Sequence, residues 1–176
     1  MGSSIGVSHH TIRSYVEILE KTFLLRILRP LEANLKKRLV KTPKIYLRDI
    51  GILHVLLDIR NHNELLGHPV YCASWESFVI EHVLAALPGV RASFFRSRSG
   101  AEIDLIIDRG RHRIAIECKA SSAPRGERGF WTALDDLHIK EAYISAPVGT
   151  AYPIERGVLV TPIDNLLLQL KKSFAL

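Results

Sequence analysis

Residues 102–119 read EIDLIIDRGRHRIAIECK, and this stretch decides the fold of the region around it. Two apolar runs flank Gly110-Arg111, where a glycine supplies the positive φ that a two-residue hairpin turn needs. The residues on either side of this loop pair first and further pairs follow outward, so that Asp104 stands opposite Glu117. The spacing therefore predicts an antiparallel hairpin with two opposed carboxylates.

Because strand side chains alternate between faces, one face of this hairpin is expected to gather Asp104, Glu117 and Lys119. Four aliphatic side chains fill the other face: Leu105, Ile107, Ile114 and Ile116. Opposed carboxylates repel unless a cation lies between them, and oxygen ligands favour Mg²⁺ or Mn²⁺ with water in the shell. Lys119 is then placed to orient or deprotonate a water for attack on phosphorus. The alternative that spacing leaves open is that Glu117 and Lys119 pair with other charges on a solvated strand face.

The composition is that of a globular protein. Of the 176 residues, 47% are hydrophobic and 24% charged, which excludes intrinsic disorder and coiled coil as overall descriptions. The sequence has no apolar run of about 18–20 residues and no signal peptide, so no membrane partner is expected. Two cysteines, Cys72 and Cys118, are too few for a disulfide scaffold. They predict a reducing, cytoplasmic location.

Periodicity predicts an α/β arrangement for residues 61–176. A helix over 75–87, capped by Ser74, precedes strands at 92–96, 103–108 and 113–118. A helix at 129–137, strands at 141–145 and 157–161 and a helix at 163–172 follow. This order predicts a mixed sheet. A polar connection over 58–69 separates the region from the first sixty residues.

Residues 1–60 are predicted to form a partial winged helix. Ser8 caps a helix, and two strand-like runs at 23–28 and 44–47 flank a basic loop or hairpin tip at 36–44. A short apolar helix at 49–57 closes this part. Only seven residues precede Ser8, so the helices expected before it are missing and the chain is expected to be cut from something longer.

The charge distribution points to nucleic acid. Residues 1–60 hold 11 Lys/Arg and five Asp/Glu, whereas the rest of the chain is balanced. A one-sided basic cluster attracts a phosphate backbone, although a solvated face kept for solubility is the open alternative. Arg96 and Arg98 are equally consistent with holding a scissile phosphate or with ordinary loop charges. The candidate nucleic-acid contacts are Arg13, Lys36, Lys37, Arg38, Lys41 and Arg96.

The order of Asp104, a turn and Glu117-Cys118-Lys119 resembles the PD-(D/E)xK superfamily, which includes restriction endonucleases. The resemblance implies that Asp104, Glu117 and the backbone carbonyl of Cys118 bind Mg²⁺ or Mn²⁺, and that Lys119 activates a water. It also implies that a helical glutamate completes the site. Glu76 is the matching position and Glu81 the second choice.

A wider set of motifs is similar to the C-terminal half, a domain of unknown function, of predicted prokaryotic AAA-type ATPases. These motifs are GVS (6–8), KTPKIYLRDIGIL (41–53), WESFV (75–79), GAEID (100–104) and IECK (116–119). The resemblance implies a partial winged helix followed by a restriction-endonuclease-like mixed-sheet core, with DNA and an upstream ATPase module as partners.

ATP would be bound only by that upstream module, because these residues contain no phosphate-binding loop of the Gly-x-x-x-x-Gly-Lys-Ser/Thr kind. Oligomerisation stays open. Two functions therefore compete. One is a DNA-associated region carrying a Mg-dependent nuclease-like site, and the other is a catalytically inactive nuclease-fold module that binds to or regulates the ATPase.

Overall fold

The computed structural model describes residues 6–32 and 38–174 of the chain. Its helices are α1 (His9–Lys21), α2 (Ile50–Leu56), α3 (His62–Gly67), α4 (Tyr71–Ala86), α5 (Arg128–Leu137) and α6 (Ile163–Ser173). Its strands are β1 (Leu25–Leu28), β2 (Lys44–Leu47), β3 (Arg91–Arg96), β4 (Glu102–Arg109), β5 (His112–Cys118), β6 (Glu141–Ser145), β7 (Tyr152–Pro153) and β8 (Leu159–Thr161). A 3₁₀ turn, Glu155–Gly157, precedes β8.

The central sheet has six strands in the order β3-β4-β5-β6-β8-β7. Strands β3, β4 and β5 are antiparallel, β5, β6 and β8 are parallel, and β7 runs antiparallel to β8. The α/β class and the mixed sheet are thus confirmed. A separate two-stranded antiparallel sheet pairs β1 with β2.

The predicted hairpin register is confirmed along most of its length. Arg109 pairs with His112, and the ladder continues outward to the pair of Leu105 and Ile116. Gly110 in the loop has a φ of +65°, the conformation that favours glycine at this position.

Two apolar cores lie on the two faces of the sheet. The first contains the four aliphatic side chains predicted to share a face, together with Val79 and Ile80 of α4 and Leu166 and Leu170 of α6. The second packs Phe130 of α5 against the opposite face of β4 and β5. The sheet therefore lies between two helical layers, and its interior strands are buried on both sides.

A β-bulge interrupts β4 at the beginning of this buried stretch. One residue of β3, Phe94, lies opposite two residues of β4, Asp104 and Leu105. Ile103 packs in the second core whereas Leu105, two residues later, packs in the first. Strict alternation therefore fails at Asp104, and the bulge sets the direction of this carboxylate.

Helix α4 begins earlier than predicted, and Ser74 does not cap it. The helix starts at Tyr71, and Ser74 is buried inside it, where its hydroxyl forms a 2.7 Å hydrogen bond with Nε2 of His54. The sequence predicts a cap here because serine is favoured at helix starts, but a contact with α2 holds this serine in the helix interior.

The connection predicted over 58–69 contains a helix, which is α3. Asn61 caps this helix through a 3.0 Å hydrogen bond from the backbone amide of Glu64. The sequence also does not predict strand β7, because two residues are too few for a periodic signal. The first strand is shorter than expected because Phe23 adopts a φ of +62°.

The N-terminal segment follows the predicted order of helix and two strands. Ser8 caps α1, since its hydroxyl accepts a 3.1 Å hydrogen bond from the amide of Thr11. Leu28 and Tyr46, from β1 and β2, belong to the first core. The expected boundary at residue 60 stays a prediction, but the two parts share buried contacts.

The segment after β1 also pairs with the edge strand β3. Pro30 bridges to Phe94, and Leu39 bridges to Ser97. Lys36 and Lys37, both candidate nucleic-acid contacts, lie outside the described residues. Among the residues described, no helix is long and apolar enough to cross a membrane.

Candidate functional site

A cavity of about 360 Å³ opens where β4, β5, α4 and α5 meet. It brings together five residues singled out from the sequence: Glu76, Arg96, Asp104, Glu117 and Lys119. Three charged residues that the sequence does not assign to this site line it as well: Lys44, Glu102 and Glu127. Arg13, Arg38 and Lys41 do not line it.

Asp104 lies at the bulge and is held from two sides. Its Oδ2 accepts a 3.1 Å hydrogen bond from the backbone amide of Cys118, and its Oδ1 accepts a 3.0 Å hydrogen bond from Nζ of Lys44. The backbone of Cys118 therefore lies beside the carboxylate. The Cys118 side chain packs against the first core, and burial followed by the charge of Asp104 raises the pKa of its thiol.

Glu117 is the most deeply buried acid of the cavity, with 6% of its surface exposed. Its Oε1 lies 3.2 Å from Nζ of Lys119, whereas no described residue forms a hydrogen bond with its Oε2. Burial, and then the negative charge of Asp104, raises the pKa of Glu117 to about 8, although Lys119 acts in the opposite direction. A buried carboxyl oxygen without a partner costs free energy, which a bound cation would recover.

Lys119 bridges two carboxylates. Its Nζ donates a 2.7 Å hydrogen bond to Glu127, at the start of α5, and lies 3.2 Å from Glu117. Burial alone would lower the pKa of Lys119, but the bond to Glu127 and the charge of Glu117 outweigh it and raise the pKa. Near neutral pH the side chain is therefore an ammonium, a form that can donate a hydrogen bond to a water but cannot deprotonate one.

Lys44 is one of the three site residues that sequence reasoning missed. It belongs to the basic cluster of the first sixty residues, yet its Nζ lies 2.8 Å from Glu76, 3.0 Å from Asp104 and 3.2 Å from Glu102. Burial alone would lower the pKa of Lys44, but the charges of Asp104 and Glu76 raise it above its ordinary value. The alternation of β2, which also brings Tyr46 to this side, is the signal that could have found it.

Glu76 is held by the same strand. The hydroxyl of Tyr46 donates a 2.5 Å hydrogen bond to Oε1 of Glu76, the oxygen that Lys44 also contacts. Burial and the charge of Glu76 raise the pKa of Tyr46, so the phenol stays protonated and remains a donor. Glu81, the second choice for the helical acid, does not line the cavity.

The candidate ligands for a divalent cation are the carboxylates of Asp104 and Glu117. Among the described residues, no group of three His, Cys, Asp or Glu side chains is arranged to hold one metal ion. Mg²⁺, however, is commonly bound through one or two carboxylates with water completing the octahedron. Asp104 and Glu117 supply two, and the Oε2 of Glu117 has no hydrogen-bond partner among the described residues.

Part of the predicted basic cluster is neutralised within the protein. Arg26 and Arg48 both bind the carboxylate of Glu81 on α4, and Lys44 lies in the cavity. The charges of these three residues are therefore already paired with acids of the protein.

The other candidate nucleic-acid contacts among the described residues are largely exposed. Arg38 and Lys41 lie on the surface of the connection between β1 and β2. Arg13 pairs with Glu17 along α1. Arg96 pairs with Glu102 at a distance of 3.1 Å, with about half of the arginine side chain exposed at the cavity.

Two family models match the chain, and both describe domains of unknown function. DUF4143 matches residues 71–166, and DUF8612 matches residues 1–63. All of the acids that line the cavity fall within the first match, whereas Lys44 falls within the second. The cavity is therefore built from both matched regions.

Two curated mycobacterial proteins are similar over nearly the whole chain. They are the uncharacterized proteins Mb2031c of Mycobacterium bovis (strain ATCC BAA-935 / AF2122/97) and Rv2008c of Mycobacterium tuberculosis (strain ATCC 25618 / H37Rv). Each is 34% identical over 167 residues, which cover 95% of this chain and 38% of the relative. The chain thus spans less than two fifths of these relatives' length. No solved structure matches it significantly.

Proposed function

The chain belongs to the DUF4143 family, and from the geometry of its cavity we propose that it carries a Mg²⁺- or Mn²⁺-dependent nuclease-like site. In this proposal the substrate is the phosphodiester backbone of DNA. The chain is the DNA-associated C-terminal region of a longer AAA-type ATP-binding protein, with the core resembling PD-(D/E)xK nucleases.

One observation carries the proposal. The buried Oε2 of Glu117 is without a hydrogen-bond partner among the described residues, in a cavity that Asp104 also lines. Buried polar atoms normally have a hydrogen-bond partner or coordinate a metal, so the partnerless Oε2 supports a cation beside these two carboxylates.

Asp104 and Glu117 would hold the ion, with the backbone carbonyl of Cys118 as the third ligand that the resemblance implies. A divalent cation in such a site neutralises charge on a phosphoryl oxygen and lowers the pKa of a bound water. Lys119, as an ammonium, orients the attacking water, and Glu127 holds Lys119 in position. Arg96, half exposed at the cavity, is suited to bind the phosphate.

DNA association is proposed for the N-terminal segment. The helix α1, capped by Ser8 and followed by the strands β1 and β2, has the order of a partial winged helix, whose helix start faces the bases. Arg13, Arg38 and Lys41 are exposed basic side chains of this segment that suit phosphate contacts.

The proposal is tested by incubating the intact chain with supercoiled plasmid and with linear duplex DNA in the presence of Mg²⁺ or Mn²⁺. Metal-dependent cleavage is expected for the wild type, and Asp104→Asn and Glu117→Gln should reduce it to background. Asp58→Asn, which removes an exposed acid outside the cavity, should cleave as the wild type does. Cleavage that persists in Asp104→Asn would contradict the proposed site.

A second function is favoured by the position of Lys44. Its ammonium already pairs with Asp104 and Glu76, as a structural cation would. In this alternative the nuclease fold is a catalytically inactive module that binds to or regulates the ATPase. Absence of metal-dependent cleavage together with absence of Mn²⁺ binding would favour it.

A further inference from the structure

The ammonium of Lys44 lies against Asp104, one of the two carboxylates proposed to bind the metal. We propose that Lys44 is a tethered cation that competes with the divalent ion for Asp104, so that metal loading displaces Lys44 and loosens β2 from the cavity. The inference rests on the proposed function and adds a regulatory contact to it.

The distances place Lys44 among three acids. Its Nζ lies within 3.2 Å of an oxygen of Glu76, Asp104 and Glu102. Only 20% of the Lys44 side chain is exposed, so its charge is poorly screened by water. A divalent cation bound by Asp104 would lie within a few ångströms of this ammonium, and the two positive charges would repel each other.

When metal is absent, Lys44 compensates the negative charge of the carboxylates around it. Removing one partner from a buried ion pair leaves an uncompensated charge, which is strongly unfavourable. Lys44 therefore stabilises the metal-free cavity, and the divalent ion would take over the same role on binding. The Lys44 ammonium and the divalent ion would each compensate the charge of Asp104, so they compete for the same carboxylate.

The ion pair of Lys44 with Glu76 is part of a larger contact between β2 and α4. Tyr46, two residues along β2, donates to Glu76, and Arg48, just after the strand, binds Glu81. These three side chains recur at every second residue and reach acids of the other region of the chain. Release of Lys44 would weaken the hold on the beginning of β2 most, and this is where the exposed basic connection containing Lys41 joins the strand.

The first experiment measures Mn²⁺ affinity by calorimetric titration of the intact chain. Lys44→Met keeps the length and most of the volume of the side chain but removes the charge, and it should bind Mn²⁺ on the order of tenfold more tightly than the wild type. The matched control is Lys171→Met, which removes an exposed lysine of α6 and should leave the affinity unchanged. Lys44→Gln, a polar neutral variant, repeats the test if Lys44→Met fails to fold by circular dichroism.

The second experiment follows amide hydrogen exchange of residues 44–48 with and without Mn²⁺. Faster exchange on adding Mn²⁺ is expected in the wild type, and no such increase in Lys44→Met. Equal Mn²⁺ affinity of the wild type and the Lys44 variants would contradict the proposed competition but remain consistent with the proposed metal site. Absence of Mn²⁺ binding in every variant would overturn both the metal site and the competition.

Discussion

Glu117 is an acid whose ionisation is strongly coupled to the fold. Its pKa of about 8 lies well above the ordinary value of 4.5, with burial as the main cause and Asp104 as the next. The folded protein therefore holds this carboxyl protonated over a pH range in which the unfolded chain is ionised. Over that range the unfolded state binds fewer protons, so stability falls as the pH rises.

Glu117→Gln should remove this pH dependence in metal-free protein. Between about pH 5 and pH 8 the wild type loses the contribution of its neutral carboxyl, whereas glutamine is neutral throughout. The melting temperature of the variant relative to the wild type should therefore rise by a few degrees between the two pH values. Thermal unfolding in the presence of a chelator measures it, with the exposed Glu155→Gln as the control. A difference that is constant with pH, or that shrinks toward the higher pH, would contradict the assignment.

At the scale of elements, the contact between the β1–β2 sheet and α4 depends on Glu81. This carboxylate binds both Arg26 and Arg48, and only 12% of its side chain is exposed. A neutral side chain there would leave two partly buried guanidinium groups without their counter-ion.

Glu81→Gln should lower the free energy of unfolding by about 1–3 kcal/mol, since hydrogen bonds to charged groups are removed in a mostly buried place. The matched control is Glu17→Gln, which breaks the exposed pair with Arg13 along α1. That change should cost about 0.5 kcal/mol or less. Urea denaturation of both variants measures the difference, and equal decreases would mean that the Glu81 contact contributes no more than a surface pair.

The basic connection between β1 and β2 is the element expected to contact phosphates. Reversing the charges of Lys36, Lys37 and Arg38 should weaken DNA binding on all sequences alike. The dependence on salt should also fall, by up to about 0.9 in the logarithmic slope for each phosphate that the variant no longer neutralises. Reversal of Lys140, Lys171 and Lys172, three basic residues outside this segment, is the matched control. Equal DNA affinities of the two triple variants and the wild type would mean that the basic connection is a solvated surface that does not contribute to DNA binding.

Across the whole molecule, sequence patterns predict those structural features that depend on residues close together in the chain. The hairpin loop at Gly110 fixes the pairing of β4 with β5, and helical spacing locates α5 and α6 to within a residue or two. Contacts between distant segments are not predictable in this way. Ser74 has the residue type of a cap but lies inside α4, because its contact with His54 comes from another helix.

The residues of the candidate site also divide into those predictable from nearby residues and those that depend on distant segments. Asp104 and Glu117 lie close in sequence on paired strands and Lys119 directly follows the second strand, so their spacing is enough to single them out. Lys44 reaches the same cavity from sixty residues before Asp104, and its charge suggests nucleic acid instead. The bulge that directs Asp104 depends on how β3 pairs with β4, which has no signature in the sequence of β4 alone.

The central claim is that Asp104 and Glu117 together bind a divalent cation. The most direct test is calorimetric titration of Mn²⁺ into the intact, metal-free chain and into Asp104→Asn, with Asp58→Asn as the control. Saturable binding to one site is expected in the wild type and in the control, and Asp104→Asn should abolish it. Equal Mn²⁺ binding by the wild type and Asp104→Asn, or no binding by the wild type, would contradict the claim.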